Sequence, residues 1–505
     1  MLVEAVAIGL LVYQLFFYFA TRKQLKLVAS HFVGPKPHPL WGNLGEFFQK
    51  DIPGLFETVV GFHERYGPDI FTWSLFNMTM INVTSAENVE KVIMAKHAQK
   101  SFIYDFLKPW LGEGLLISNG EKWFQRRRII TPTFHFKVLE HFVTVFDKET
   151  NVMVENLKKH VDGKEFDMYD YITLMALDSI CETSMGTAVN AQKDPTNKYV
   201  QSVKRMSVLI LLQTVSMLSG FPFLYSLIHP NGWKQRKVTK ALHRFTDSII
   251  KSRRKTLENE KLRQIDSNRD EDNVNSKKKM TFLDLLLNVH VEGKPLSDLD
   301  IREEVDTFMF EGHDTTTSGI AFVVYQLALN QPIQERIYDE IVSILGKNSK
   351  SYVLTYQDLQ EFRYLEAVIK ESMRLFPPVP FIGRKLMDDL EMNGTTIKAG
   401  QDFLIPIYVV HRNPKVYPDP ERFDPDRFSE TAESKRGPYD YIPFSAGSRN
   451  CIGQRYALLE MKTTLIKLIS NYKILPGESL GKLRVKTDLV LRPDKGIPVK
   501  IIARA

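Results

Sequence analysis

The sequence predicts a mainly α-helical protein with a smaller β-rich part, preceded by an amino-terminal membrane anchor helix. Three observations predict it. Residues 2–20, LVEAVAIGLLVYQLFFYFA, are apolar except for Glu4 and Gln14. As a helix rising about 1.5 Å per residue they would nearly cross the ~30 Å hydrocarbon layer of a bilayer. Most of the chain from Thr84 to Phe376 has helical length and periodicity. Short β-branched and aromatic runs lie at residues 71–84 and from Tyr472 onward, and they read as strands.

The composition bounds the function. With 505 residues, 43% of them hydrophobic and 25% charged, the chain can bury a large core and is not disordered. The net charge of +7 is spread along the chain; it suits an acidic partner or a membrane surface and gives no case for nucleic acid. Only two cysteines are present, Cys181 and Cys451, which excludes zinc ribbons, cysteine-ligated iron–sulfur clusters and disulfide scaffolds.

Taken in order, residues 2–20 read as an uncleaved anchor. Glu4 and the bulky Tyr18-Phe19-Ala20 argue against a cleaved secretory signal. Arg22, Lys23 and Lys26 keep their flank in the cytoplasm, so the sequons at Asn77, Asn82 and Asn393 should stay unglycosylated. Residues 21–45 form a basic flank and proline-rich connector; Pro35, Pro37 and Pro39 predict a stiff, extended spacer. Residues 46–505 form the globular domain. Within it, residues 206–228 carry no formal charge but contain Gln213, Thr214, Ser216, Ser219, Gly220 and Pro222. They read as a pair of buried or membrane-dipping helices rather than a second span. Residues 253–279 are charge-dense and read as a solvated loop or frayed helix ends. Leu365, Val368, Ile369, Ser372 and Leu375 mark an apolar helical stripe that Pro377-Pro378 ends.

The most informative stretch is 444–453, FSAGSRNCIG. A helical run follows it, so Cys451 is expected at a helix N-terminus, where the dipole favours thiolate over thiol. Gly447 and Gly453 would let the backbone approach a flat ligand, Phe444 would shield the sulfur, and Arg449 is available to a carboxylate. Cys181, in an apolar helical run, reads as a small buried hydrophobe. The pattern Phe-x-x-Gly-x-Arg-x-Cys-x-Gly resembles the haem-binding loop of the cytochromes P-450. Three further motifs follow that family's order, and the resemblance spans nearly the whole chain, with residues 46–505 as the haem-thiolate catalytic domain of a cytochrome P-450 fold.

Glu371-Ser-Met-Arg374 places two charges on one helix face. The resemblance implies a buried triad completed by an arginine from Pro425-Asp426-Arg427-Phe428, where Asp426 replaces the commoner Glu. Arg422 is a rival, and Arg427 is preferred by its spacing to Cys451. Trp123-Phe-Gln-Arg126-Arg127-Arg128 contains the family's Trp-x-x-x-Arg, which implies that Trp123 and Arg127 bind a haem propionate with Arg384 and Arg449 as partners. Arg126 and Arg128 are expected to face solvent. A helix of about thirty residues is expected from Asp300 to Pro332, ~45 Å long. Its middle, FEGHDTTTSG, is rich in poor helix formers and resembles the family's oxygen-binding motif. By that resemblance Gly312 makes room over the haem, Thr315 hydrogen-bonds dioxygen, and Asp314 relays protons. His313 is set aside as a haem ligand because Cys451 already supplies one. Glu311 stands where the wider family has Ala and resembles the fourth P-450 family, in several members of which this glutamate esterifies a haem methyl; such a link is open here.

The resemblance implies haem b with Cys451 as proximal iron ligand, and insertion of one oxygen atom from O2 into a C–H bond. Gly112-Glu-Gly114 stops short of a dinucleotide fingerprint. Electrons from NADPH are therefore expected through a separate NADPH–cytochrome P-450 reductase, with cytochrome b5 as a further donor. Lys435, Arg436 and Arg455 are candidates for a basic docking face. The expected place is the endoplasmic reticulum membrane, catalytic domain toward the cytosol. Phe102, Ile103, Phe106, Trp110, Leu115, Leu116 and the 206–228 run suggest a lipophilic pocket for a fatty acid, hormone or foreign compound. A haem-thiolate isomerase or a silent haem-binding protein would have no use for the Asp314-Thr315 pair.

Overall fold

Helices form most of the molecule, because long stretches of chain repeat apolar residues at helical spacing and bury that face. The computed structural model describes residues 8–504 except 10–11, 14, 17–18, 20–27, 29, 39–40, 74–77, 268–279 and 482. Most of the segment read as an anchor, and the end of the charged run at 268–279, lie outside the described residues. Among those described, no helix is long and apolar enough to cross a membrane.

The elements that position the site are, in chain order, β1 (Asp69–Trp73), β2 (Thr79–Val83), α1 (Ala86–Met94), α2 (Gly120–Ile130), α3 (Phe136–Leu157) and α4 (Met168–Thr183). There follow α5 (Lys198–Thr214), α6 (Pro222–Ile228), α7 (Pro230–Ser267), α8 (Asp298–Leu329) and α9 (Arg363–Leu375). Then come β3 (Ile382–Lys385), β4 (Asp402–Ile405), α10 (Gln454–Asn471), β5 (Tyr472–Pro476), β6 (Val485–Thr487), β7 (Leu491–Pro493) and β8 (Pro498–Ala503).

Helix α8 runs through the middle, buried along most of its length from Ile301 to Ala328. Its N-cap is Ser297, whose hydroxyl accepts from the Asp300 N–H at 3.1 Å, so the helix starts before the expected Asp300. It packs on α4 at Gly312, where an added Cβ would come within 2.6 Å of Ile180 Cδ1. The missing side chain therefore serves helix packing, which corrects the expectation that Gly312 is there to clear space over a cofactor.

The β-rich part has a four-stranded sheet in the order β1-β2-β4-β3. β1 and β2 pair antiparallel from Asp69↔Val83 to Trp73↔Thr79, and β2 pairs parallel with β4. Phe32, Trp73, Ile81, Val83, Phe403 and Ile405 fill its own core. The proline connector is not held away from the globule. Phe32 is buried, Asn43 Nδ2 donates to the Pro35 carbonyl at 3.0 Å, and Phe71 N–H donates to Val33. Asn82 is also buried and donates to Thr72.

Residues 206–228 form the end of α5 and, after a turn, α6. Met206 and Ile210 are buried, whereas Phe223 is 77% exposed and Leu227 52%, so the run divides into an inner and an outer half. The start of the charged run is no loop. Arg253 lies within α7, 5% exposed, and forks onto Asp284 at 2.6 and 2.7 Å.

Candidate active site

A cavity of about 560 Å³ opens between α8, the 444–453 loop, the 102–116 segment and the turn after β6. Its walls are mainly apolar and include Phe102, Ile103, Phe106, Leu115 and Leu116, with Ile210, Leu211, Thr214 and Val215 from the 206–228 run. Trp110 is not among them; it is core, its ring 4.7 Å from that of Phe310.

Cys451 lines one wall just ahead of α10, whose N-cap is Gly453. Its N–H donates to the Phe444 carbonyl at 2.9 Å, which closes the loop beneath the sulfur. Burial, with the nearby Glu311 carboxylate next in weight, pushes the thiol up to about 11 against the opposing Gly453 N–H and Arg127. The helix start alone thus does not make the thiolate, contrary to the sequence expectation; a bound cation would, because metal coordination deprotonates a thiol outright. Gly453 meets no atom within 4 Å of an added Cβ except Cys451 Sγ at 4.0 Å, and it faces the cavity. Gly447 is different: its φ is +67° and its Cβ would meet Ile93 of α1 at 2.9 Å. It sets the loop's turn and its seating on α1, not an approach to a flat ligand. Cys181 is fully buried, with burial holding its thiol well above the usual range.

Four cations gather at one end of the cavity. Arg449 lies over the Trp123 ring at 3.8 Å and donates to the Ser118 carbonyl at 2.8 Å. Arg127 donates to the Asn450 carbonyl at 2.9 Å and to Asn450 Oδ1 at 2.8 Å. Arg384 is buried behind the wall, donating to Gly383 O at 2.9 Å and to Ser445 Oγ at 3.3 Å. Lys100 is the fourth, and sequence reasoning missed it. It faces the cavity, and its pKa is held well below the usual lysine range by burial first and by Arg384 and Arg449. Its only signal in the chain is its place directly before the apolar 101–107 run. Among the described residues none of these four makes an ion pair. Buried cations without carboxylate partners fit a ligand that brings its own negative charges. A thiol on the wall of the same apolar cavity fits iron. The residues present therefore fit haem.

The neighbouring Arg126 corrects its expectation. It is buried and pairs with Asp300 at 2.6 Å and Glu304 at 3.7 Å, leaving Arg128 as the exposed member of the run.

Helix α8 contributes Glu311, Gly312, Thr315 and Thr316 to the cavity. Thr315 Oγ1 donates to the Glu311 carbonyl at 2.6 Å, and Thr316 and Thr317 bond back by one turn in the same way. The poor helix formers thus return their hydroxyls to the backbone and the helix runs unbroken. Burial pushes the Glu311 carboxyl up to about 7, with Lys100 opposing. His313 points elsewhere, bonded to Met309 O at 2.6 Å. Asp314 is beside Thr315 in sequence but faces away from the cavity. Its carboxylate is paired with Arg492, which also donates to Asp488 at 3.1 Å and to the Tyr169 hydroxyl at 2.9 Å. Sequence reasoning missed Arg492 and Asp488 because 178 residues separate Arg492 from Asp314 and no motif joins them.

Away from the cavity, Arg374 forks onto Glu371 at 2.7 and 2.9 Å, with both side chains fully buried. Arg427 Nε lies 3.6 Å from Glu371, while Arg422 is 66% exposed. Of the three basic docking candidates, Lys435 and Arg455 are exposed. Arg436 instead is 11% exposed, 4.1 Å from the Phe428 ring and paired with Glu433.

Comparison with known proteins agrees with this geometry. A family model described as Cytochrome P450 matches residues 33–501. The chain is 42% identical over 476 residues to Cytochrome P450 4d2 of Drosophila melanogaster, covering 94% of each chain. It is 40% identical over 473 residues to Cytochrome P450 4V2 of Homo sapiens, covering 93% of this chain and 89% of the relative. With Cytochrome P450 4c3 of Drosophila melanogaster it shares 38% identity over 494 residues, 96% of this chain and 92% of the relative. A thiol and unpaired cations around one apolar cavity, in a mostly helical fold with small sheets, are thus found in a chain that belongs to the cytochrome P450 family, the haem-thiolate monooxygenases.

Proposed function

We propose that Cys451 is the axial ligand of the haem iron, that Trp123, Arg127, Arg384 and Arg449 hold the propionates, and that the enzyme hydroxylates a lipophilic substrate against the apolar wall. The observation that carries this reading is the joint presence, around one cavity, of a single thiol and cations that lack any carboxylate partner. Haem bound there supplies the redox chemistry, RH + O2 + 2 e⁻ + 2 H⁺ → ROH + H2O.

The chain's own residues do the rest. The Phe444 carbonyl fixes the Cys451 backbone. Gly447 turns the loop, and Gly453 leaves room above it. Arg449, stacked on Trp123, and Arg127, clamped by Asn450, present pre-oriented donors to carboxylates. Thr315 holds its hydroxyl at the cavity wall and passes a proton inward when it leaves the Glu311 carbonyl. Asp314 resupplies that proton from the water side once its carboxylate turns from Arg492. Glu371, Arg374 and Arg427 hold the scaffold around the Cys451 loop.

Glu311 esterifies a haem methyl in this reading. Its carboxyl faces the cavity, burial favours its neutral form, and the relatives at about 40% identity are of the fourth family. Extraction with acidic organic solvent should leave haem on the chain; complete extraction would remove the ester. Electrons come from NADPH through a separate NADPH–cytochrome P-450 reductase, with cytochrome b5 as a second donor, at the face bearing Lys435 and Arg455. Residues 1–20 anchor the chain in the endoplasmic reticulum membrane, 21–45 link it, and 46–505 form the cytosolic catalytic domain. The mostly aliphatic and aromatic walls suit a fatty acid first, then a lipophilic hormone or foreign compound. Turnover of the reductase-reconstituted enzyme on a panel of the three classes, with products identified by mass, tests this. A product heavier by one oxygen atom is expected; none from any class would overturn it.

A further inference from the structure

Arg492 is a single buried cation shared by two carboxylates from different parts of the chain. Asp314 belongs to α8, one residue before Thr315; Asp488 belongs to the turn between β6 and β7. The three side chains are each 5% exposed or less. Tyr169 of α4 adds a neutral acceptor. The turn that carries Asp488 lines the cavity through residues 487–490, and it is tied to the same helix from the other side, with Ser318 Oγ donating to the Leu491 carbonyl at 2.6 Å. A molecule in the cavity therefore touches the turn directly, and the turn touches Asp314 only through Arg492.

The charge balance sets what this arrangement can do. Removing one partner from an ordinary buried ion pair strands the other charge, which is costly. Here Arg492 keeps Asp488 when Asp314 leaves, so the centre goes from one cation with two anions to a neutral pair. Asp314 is thus held but not locked, and how firmly it is held depends on how well Asp488 competes for the same guanidinium.

We propose that Arg492 is a positioning residue that couples proton supply to cavity occupancy: an occupant pressing on residues 487–490 seats Asp488 on Arg492 and frees Asp314 to turn toward Thr315. The inference rests on the proposed role of Asp314 as proton carrier. No proton passes through Arg492 itself. The proton on Asp314 comes from water and goes to Thr315, and the electrons come from the redox partner.

The test uses the haem-loaded enzyme with its reductase and dodecanoic acid as the cavity probe, and reads hydrogen peroxide released per NADPH oxidised. Addition of the probe should lower that ratio in the wild type. In Asp488→Asn, Arg492 retains Asp314 alone, so the ratio should rise about fivefold and lose its response to the probe. The solvent isotope effect should increase while the spectral dissociation constant for the probe stays unchanged. Asp488→Glu should restore the wild-type values. Asp314→Asn should raise the ratio further, and Asp488→Asn should add nothing to it. Unfolding free energies of the same four proteins should be non-additive, since both carboxylates compete for one cation. If Asp488→Asn does not load haem, Tyr169→Phe removes the third acceptor and should shift the ratio the same way. An unchanged ratio in Asp314→Asn would overturn the role given to Asp314. A change there, with Asp488→Asn altering only probe affinity or nothing, would leave that role standing and overturn the coupling.

Discussion

Two buried arginines in this protein have opposite surroundings. Arg374 meets one carboxylate, Glu371, and its remaining donors reach the carbonyls of His411, Pro420 and Arg422. Glu371 in turn accepts the Asp424 N–H at 2.8 Å and has Arg427 beside it. None of these three side chains lines the cavity. Arg492 meets two carboxylates and a phenol, and one of those carboxylates is on the cavity wall. A saturated centre has a single arrangement and stiffens what surrounds it. A shared centre has two arrangements of similar cost and can switch between them. The difference separates scaffold from machinery among groups that look alike in burial.

The largest effect is expected where that difference is broken on the saturated side. Arg374→Met strands the buried Glu371 and should cost about 3–5 kcal/mol of stability, read as loss of haem-loaded protein on expression and of the denaturation midpoint. Asp314→Asn should instead leave folding intact and reduce product per NADPH by about 10²-fold, with peroxide replacing product, measured in the reconstituted enzyme.

A third buried group sharpens the contrast because it has neither kind of partner. Glu460 of α10 is fully buried and both its carboxylate oxygens lack a hydrogen-bond partner, since the nearby Thr316 and Ser179 hydroxyls bond to Gly312 and Met175. Burial pushes its carboxyl up to about 8. Its folded pKa lies above the unfolded value, so its contribution to stability is present in full below about pH 4.5 and is lost as pH rises toward 8, at about 1.4 kcal/mol per pH unit as an upper bound. Glu460→Gln should flatten the stability–pH curve across that window, checked by denaturant titration at pH 5 and pH 8. The smallest effect belongs to Arg422, exposed beside the saturated centre. Only its carbonyl is used there, so Arg422→Ala should change stability by no more than about 0.5 kcal/mol, whereas Arg427→Ala should cost several times that.

Much of this site is legible in the chain because it is local. The 444–453 loop, Trp123 with Arg127, and Glu371 with Arg374 each lie within one turn or one loop, so spacing alone brings them together. The long helix is legible from its length. What is not legible is the direction of neighbours and the company of distant residues. Arg126 and Arg127 are adjacent, yet a helix turns them about 100° apart, and one meets Asp300 and Glu304 while the other meets Asn450. Gly312 and Gly447 read as clearance for a ligand, but the atoms that forbid a side chain are those of Ile180 and Ile93. Lys100 and Arg492 carry no motif, and only the folded chain places them beside the cavity and Asp314.

The central claim is the bond between the Cys451 sulfur and haem iron. It is tested most directly by the absorption of the reduced, carbon monoxide-bound enzyme beside its Cys451→His variant. The account predicts the long-wavelength Soret band of thiolate ligation in the wild type and its loss in the variant, with haem retained through Arg127 and Arg449. A wild-type spectrum of nitrogenous or neutral-thiol ligation, or a thiolate spectrum that persists in the variant, would contradict it.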